Sequence, residues 1–323
     1  MRPPSSDTDQ AKLAATARLI WVMVLMMILA ICGAYAAVGL RLDLWSGRYV
    51  IPVVPACALI AWFYRVRRPD LWIAQGAEST AQVLAILVAA TLLIYAVAAT
   101  GFPYRDRELE SIDVALGLDW RAYLDFVNAH PWIGVLFNGA YLSLKPQTAL
   151  VIGALVVTGR FHRLQQFTLA LAVTLVLTIA IFMFVPAVGT FAHLGLTAAD
   201  TPHFSPSMTY QQMTQLEGVR NGTLSVVRFD ELEGLIAFPS FHTAAAIIAT
   251  WGLWPCRGLR WWVAVLNAAM IAATPVDGAH YFVDLPAGAA VAAAGIAIGV
   301  RLPALIRHRA LPLPAGRPQI PAL

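Results

Sequence analysis

What most limits this chain's choice of fold is a series of long, unbroken apolar stretches. Eight stand out, at 19–40, 49–64, 79–100, 132–158, 167–189, 236–254, 260–275 and 281–300. In a bilayer every backbone N–H and C=O must find its partner inside the protein, so only helices and closed barrels cross. Barrel strands alternate apolar and polar residues. These runs do not alternate, and most reach the ~20 residues that a crossing helix needs. The expectation is an all-α, polytopic membrane helical bundle with about eight transmembrane helices. Composition agrees, with 59% of residues hydrophobic and 12% charged, against roughly 25% charged in soluble domains. The runs at 49–64 and 260–275 are short for a crossing. The run at 132–158 is long and contains Lys145 and Pro146, which predicts a kink or a break.

Charge sets the orientation. A net charge of +4 would suit nucleic acid, but the positive-inside rule accounts for the excess without it. With the N-terminus in the cytoplasm and the runs alternating, the inner segments hold about 14 Lys and Arg and the longer outer ones about seven. Each short inner connection is basic: "RVRRPD", "GRFHR" and "PCRGLR". Both termini are therefore expected in the cytoplasm. The first run is too long for the core of a signal peptide and lacks a clear small-residue cleavage site, so it is read as a retained helix. Cys32, Cys57 and Cys256 show no metal spacing and are read as packing residues.

Two outer loops are large. In 101–131, Asp113, Asp119, Trp120, Tyr123, Leu124 and Phe126 predict an amphipathic segment at the membrane interface. The loop at 190–235 is polar and carries His193, His203, Arg220, Arg228, Glu231 and Glu233. A zinc site from its histidines has no supporting ligand spacing. The chain after Arg301 is basic and Pro-rich, and reads as a disordered tail.

Chemistry concentrates at two places. In "AFPSFHTAAAIIATW" (237–251), His242 opens the sixth run from the outer side; in "DGAHYFVDLPAG" (277–288), His280 and Asp284 open the eighth from the same side. On a helix His280 and Asp284 would share a face, one turn apart. A carboxylate there accepts a hydrogen bond from one imidazole nitrogen and leaves the other free as nucleophile or base. Pro239 suits a first helical turn, and the free N–H groups near Ser240, Phe241 and His242 would face outward as an anion site for phosphate. Lys145, inside an apolar run, is a second candidate for phosphate, with Asn138, Tyr141, Ser143 and Gln147 beside it as a polar seam.

"PSFH" followed by "HYFVD" resembles the type 2 phosphatidic acid phosphatase superfamily, membrane enzymes that act on lipid phosphates and diphosphates without a metal or cofactor. The form with Phe241 where glycine is usual, together with "VPAVGTF" and "GLIAFPSFHTA", is similar to the inositol phosphorylceramide synthase-like branch. The resemblance implies a six-helix core within 79–303 as the catalytic membrane domain. Residues 1–78 are then an N-terminal segment with two extra helices, and 304–323 a basic cytoplasmic tail. It also implies His280 as a nucleophile forming phosphohistidine, Asp284 orienting it, His242 protonating the leaving group, and Ser240 with neighbouring amides holding phosphoryl oxygens. The substrate would be a phospholipid or lipid phosphate in the membrane, with water or an alcohol such as inositol as acceptor.

The chain departs from the family pattern where a Ser-Arg pair is usual: Ala273 and Thr274 stand there. The usual lysine and arginine-proline of the first motif are also missing from the loop before the second. Arg220, then Arg228, are the candidates to take over as phosphate clamps. A lipid or solute transporter and a catalytically degenerate family member remain open readings; the geometry around His242 and His280 separates them. The Ala- and Arg-rich composition and short loops point to a bacterial inner membrane, with the site on its periplasmic face.

Overall fold

The computed structural model describes residues 7–202 and 209–309. α1 (Asp7–Val38) leads through a short strand, β1 (Arg41–Asp43), and a string of turns into α2 (Val53–Val66) and α3 (Leu71–Ala98). Two short helices, α4 (Asp106–Ala115) and α5 (Trp120–Ala129), precede α6 (Pro131–Leu142), α7 (Leu144–Val157) and α8 (Phe161–Phe184). A single turn, α9 (Thr190–His193), is followed by α10 (Thr209–Arg220) and β2 (Val226–Arg228). Three helices close the described chain: α11 (Phe241–Leu253), α12 (Arg260–Asp277) and α13 (Asp284–Arg309).

All eight apolar runs are helical. Four helices, α1, α3, α8 and α13, are long and apolar enough to cross a membrane, and α6 with α7 makes a fifth as a pair bent by 49°. The bend falls at Ser143, just before Lys145 and Pro146, where the sequence predicts it. α2 and α11 are apolar but shorter; the 13 residues of α11 span only about 20 Å. α13 continues as helix to Arg309, so the first part of the segment expected to be a disordered tail is helical instead. Residues 310–323 lie outside the described residues.

Local chemistry fixes where helices start. Asp70 caps α3 by accepting hydrogen bonds from Trp72 N and Ile73 N at 2.9 and 3.1 Å. Asp119 caps α5 through Ala122 N at 2.9 Å, and Pro131 opens α6 with the ring torsion a first turn wants. The amphipathic segment expected in the outer loop is α5: it buries Trp120, Leu124 and Val127 and leaves Phe126 exposed.

The loops collect at two ends. At one, Trp72 packs edge-on against Phe161, and Arg163 stacks on Trp251 while donating to the Trp251 carbonyl at 2.7 Å. This end holds the three short basic connections. At the other, β1 and β2 pair in parallel, the Arg105 N–H reaches the Pro186 carbonyl at 2.9 Å, and the Thr190 N–H reaches the Ala279 carbonyl at 2.9 Å. Tyr95 ties this polar end together from below: its hydroxyl donates to Gln215 and accepts from the Glu233 N–H.

Lipid is as apolar as a protein core, so helices in a membrane associate through close packing more than through the hydrophobic effect. α13 shows this. A Cβ on Gly295 would overlap the Thr174 hydroxyl, and one on Gly299 would come within 2.9 Å of the Gln166 carbonyl. α13 therefore lies backbone against backbone on α8. Gly288, further up the same helix, meets the Ser240 carbonyl in the same way. This contact brings the starts of α11 and α13 together.

Candidate active site

Ser240, buried, is the N-cap of α11: its Oγ accepts from the Thr243 N–H at 3.2 Å. Pro239 therefore precedes the helix and does not sit in its first turn, as the sequence suggested. The Ser240 N–H donates to the Asp284 carbonyl at 3.2 Å, so the caps of α11 and α13 are one hydrogen bond apart.

His280 and Asp284 are both buried, and His280 Nδ1 lies 2.9 Å from Asp284 Oδ2. The sequence explains this pair by helical spacing, but His280 is not helical. α13 starts at Asp284 itself, and 278–283 is a turn. Asp284 Oδ2 also accepts the Tyr281 N–H at 2.9 Å. The turn enters through Ala279 in the left-handed region (φ 55°), a conformation that costs an alanine about 1 kcal/mol. Gly189 (φ 89°) crosses just above it: a Cβ there would sit 2.6 Å from the Ala279 carbonyl oxygen. Nδ1–H donation to Asp284 leaves Nε2 of His280 with its lone pair free.

The half-buried His242, in the first turn of α11, stacks on Tyr141 of α6 with ring centres 3.8 Å apart and planes at 15°. The Tyr141 hydroxyl reaches the far side: a Cβ on Gly278 would be 2.7 Å from that hydroxyl and 2.7 Å from His280 Cδ2. Tyr141 thus stacks on His242 and carries its hydroxyl to the side of Gly278 on which His280 lies. Next to it Asn138 Nδ2 donates to the buried Asp277 at 3.3 Å.

The three candidate cations part company. Lys145, at the α6–α7 bend, lies within electrostatic reach of His242 and Glu233. Burial pushes the Glu233 carboxyl above its usual range, against the pull of Lys145. Arg220 instead lies over the Tyr104 ring, 3.9 Å from its centre, and donates to the Phe102 carbonyl at 2.7 Å. Arg228 is held by Asp43, Asp230 and Glu231 at 2.9 to 3.2 Å. Neither arginine has a bond to the histidine pair. Phe241 is half-buried and packs against the core of α1, α3 and α8. His193 pairs with Glu110 at 3.0 Å, and His203 lies outside the described residues. Among the described residues no group of three or more His, Cys, Asp or Glu is placed to hold a metal ion.

Sequence reasoning passes over Asp106 and reads Asp113 as part of the amphipathic interfacial segment, yet both are buried in α4. Their signal was there in outline: they stand seven apart, two turns along one helix face, with buried Leu109 between them.

A family model described as the PAP2 superfamily matches residues 107–298, well over half of the chain. No curated protein and no solved structure matches it.

Proposed function

The chain belongs to the PAP2 superfamily, and from that premise we propose that it is a membrane lipid phosphatase or phosphotransferase working through a phosphohistidine. The observation that carries this reading is the His280 Nδ1 to Asp284 Oδ2 bond at 2.9 Å, one hydrogen bond from the capped start of α11. His280 Nε2 attacks the phosphorus of a lipid phosphate ester or phosphodiester. The bond from phosphorus to the leaving oxygen breaks, and that oxygen takes a proton from His242. In the second step His242 takes a proton from the acceptor, whose oxygen displaces His280. Water as acceptor gives free phosphate; an alcohol gives a new phosphodiester. Asp284 keeps the imidazole in the tautomer that leaves Nε2 free. The start of α11 and Lys145 supply the positive potential that the developing phosphoryl charge requires.

The usual family arginine is replaced in this sequence by Thr274. Lys145 is the cation best placed to substitute for it. We therefore expect Lys145→Ala to weaken orthovanadate binding about 10-fold or more, the effect of losing a charge-assisted contact, and Arg220→Ala to leave it within about twofold. Titration of vanadate against turnover checks both; a loss in Arg220→Ala with Lys145→Ala unchanged would move the clamp to Arg220. The same reading puts the basic end in the cytoplasm and the histidines at the outer face of a bacterial inner membrane.

Phe241 and the flanking residues favour the branch that transfers a phospho-headgroup to an alcohol. Purified protein in detergent with EDTA, given a panel of lipid phosphates and phosphodiesters with and without myo-inositol, tests this. Free phosphate marks a phosphatase. A new headgroup-bearing lipid without free phosphate marks a transferase. Neither product across the panel would sink the enzymatic reading.

A further inference from the structure

We propose that Asp106 and Asp113 of α4 are positioning residues, two buried carboxylates that hold the backbone on both sides of His280 from outside the bundle. Asp113 accepts two consecutive N–H groups, from Phe282 at 2.7 Å and Val283 at 2.9 Å. With Tyr281 N–H on Asp284, three successive amides after the nucleophile end on carboxylates. Asp106 works on the other side. It accepts the Val188 and Gly189 N–H groups, both at 3.0 Å, and the Tyr281 hydroxyl at 3.0 Å. The segment it fixes passes on to Thr190, whose N–H binds the Ala279 carbonyl next to His280. One short helix thus grips the residue before the histidine, the residue after it, and the two beyond.

The chemistry is selective for carboxylates. Asp106 and Asp113 are 3% and 2% exposed, and neither forms an ion pair among the described residues. A buried, uncompensated carboxylate costs several kcal/mol. Each here is neutralised only by N–H and O–H donors, which a carboxylate accepts in pairs and an amide does not. An asparagine of the same shape would turn its NH2 towards one of two backbone N–H groups. The turn it supports starts from a left-handed alanine, and of its N–H groups at 280–283 that of His280 reaches a backbone carbonyl, Pro275 at 3.2 Å, while the other three end on side-chain carboxylates. Without Asp113 two of those N–H groups lose their partners beside His280, and a misplacement of about 1 Å is worth roughly 100-fold in rate.

This inference rests on His280 as nucleophile, and the experiment separates the two. Asp106→Asn, Asp113→Asn and the milder Tyr281→Phe are purified in detergent beside Asp125→Asn, an exposed α5 control paired with Arg121. Turnover, KM, orthovanadate affinity and amide hydrogen exchange are measured on the folded fraction. The expected result is a fall in kcat of about 10- to 100-fold for the two Asn variants with KM within about threefold. Vanadate affinity should fall alongside kcat, exchange should quicken at Phe282 and Val283 in Asp113→Asn, and Tyr281→Phe should lose a few-fold. A lowered melting temperature with unchanged kcat per folded molecule would overturn the proposal. If the wild type shows neither turnover nor vanadate binding, the function fails instead. Positioning is then judged by hydrogen exchange alone, and unchanged exchange in Asp113→Asn overturns it.

Discussion

His280→Ala should abolish turnover, with a loss of at least about a thousandfold, as expected when a covalent nucleophile is removed. The variant also strips a partner from a buried carboxylate. Asp284 keeps only the Tyr281 N–H on Oδ2, and its Oδ1 already lacks a hydrogen bond. A stability loss of about 1–3 kcal/mol should accompany the catalytic one. His280→Gln removes that ambiguity, since a glutamine amide can still donate to Asp284 while offering phosphorus no nucleophile. It should be as inactive as the alanine variant and closer to wild type in thermal unfolding. Turnover at wild-type rate in either would remove His280 from the mechanism.

Gly288→Ala should be the most damaging single methyl in the protein. Its Cβ would overlap the Ser240 carbonyl oxygen and stand 3.2 Å from the Ser240 carbonyl carbon and 3.3 Å from Thr243 Cβ. Two of these three are backbone atoms, which cannot swing aside as a side chain does. Ser240 is also pinned, by its N–H on the Asp284 carbonyl and by its cap on α11. The only relief is to slide the start of α11 off α13. We expect about 2–4 kcal/mol lost, at the upper end of overpacking costs, and turnover down about 100-fold as His242 leaves His280. Gly153→Ala, in α7 with nothing near its would-be Cβ, should be neutral or slightly stabilising. Thermal unfolding and turnover of the pair in detergent decide it; a Gly288→Ala enzyme that melts and works like wild type would mean the α11–α13 contact is not what aligns the histidines.

The fold class was readable because bilayer physics leaves few options for long apolar runs, and each run is a helix. How the runs cross was less readable. α11 and α2 are shorter than a bilayer, and length and composition cannot say how such helices are seated. The pair of His280 and Asp284 was visible at spacing four, for a reason the structure replaces: a turn stapled by side chains makes the bond that a helix was expected to make. Lys145 signalled itself as a charge within an apolar run. Asp113 was legible only as part of the amphipathic outer segment and Asp106 not at all, since carboxylates between apolar runs usually face water. Only the tertiary approach of residues 175 and 169 positions later reveals what they bind. The surroundings of Arg220 and Arg228 were hidden for the same reason: arginine in a polar loop is legible as a cation, while the partners Tyr104 and Asp43 come from distant segments.

The parallel pairing of Arg41–Asp43 with Val226–Arg228 ties the leading helices to the approach to α11. The family match begins at residue 107, yet the strand that flanks the approach to α11 finds its strand partner far upstream. Ser46 accepts the Phe229 N–H at 2.8 Å, and Asp43 takes part of the Arg228 charge. Without the first two helices the chain would carry a naked strand edge just ahead of Ser240 and His242. Such a chain would have to finish that edge some other way, so here the leading helices help hold the approach to α11 in place.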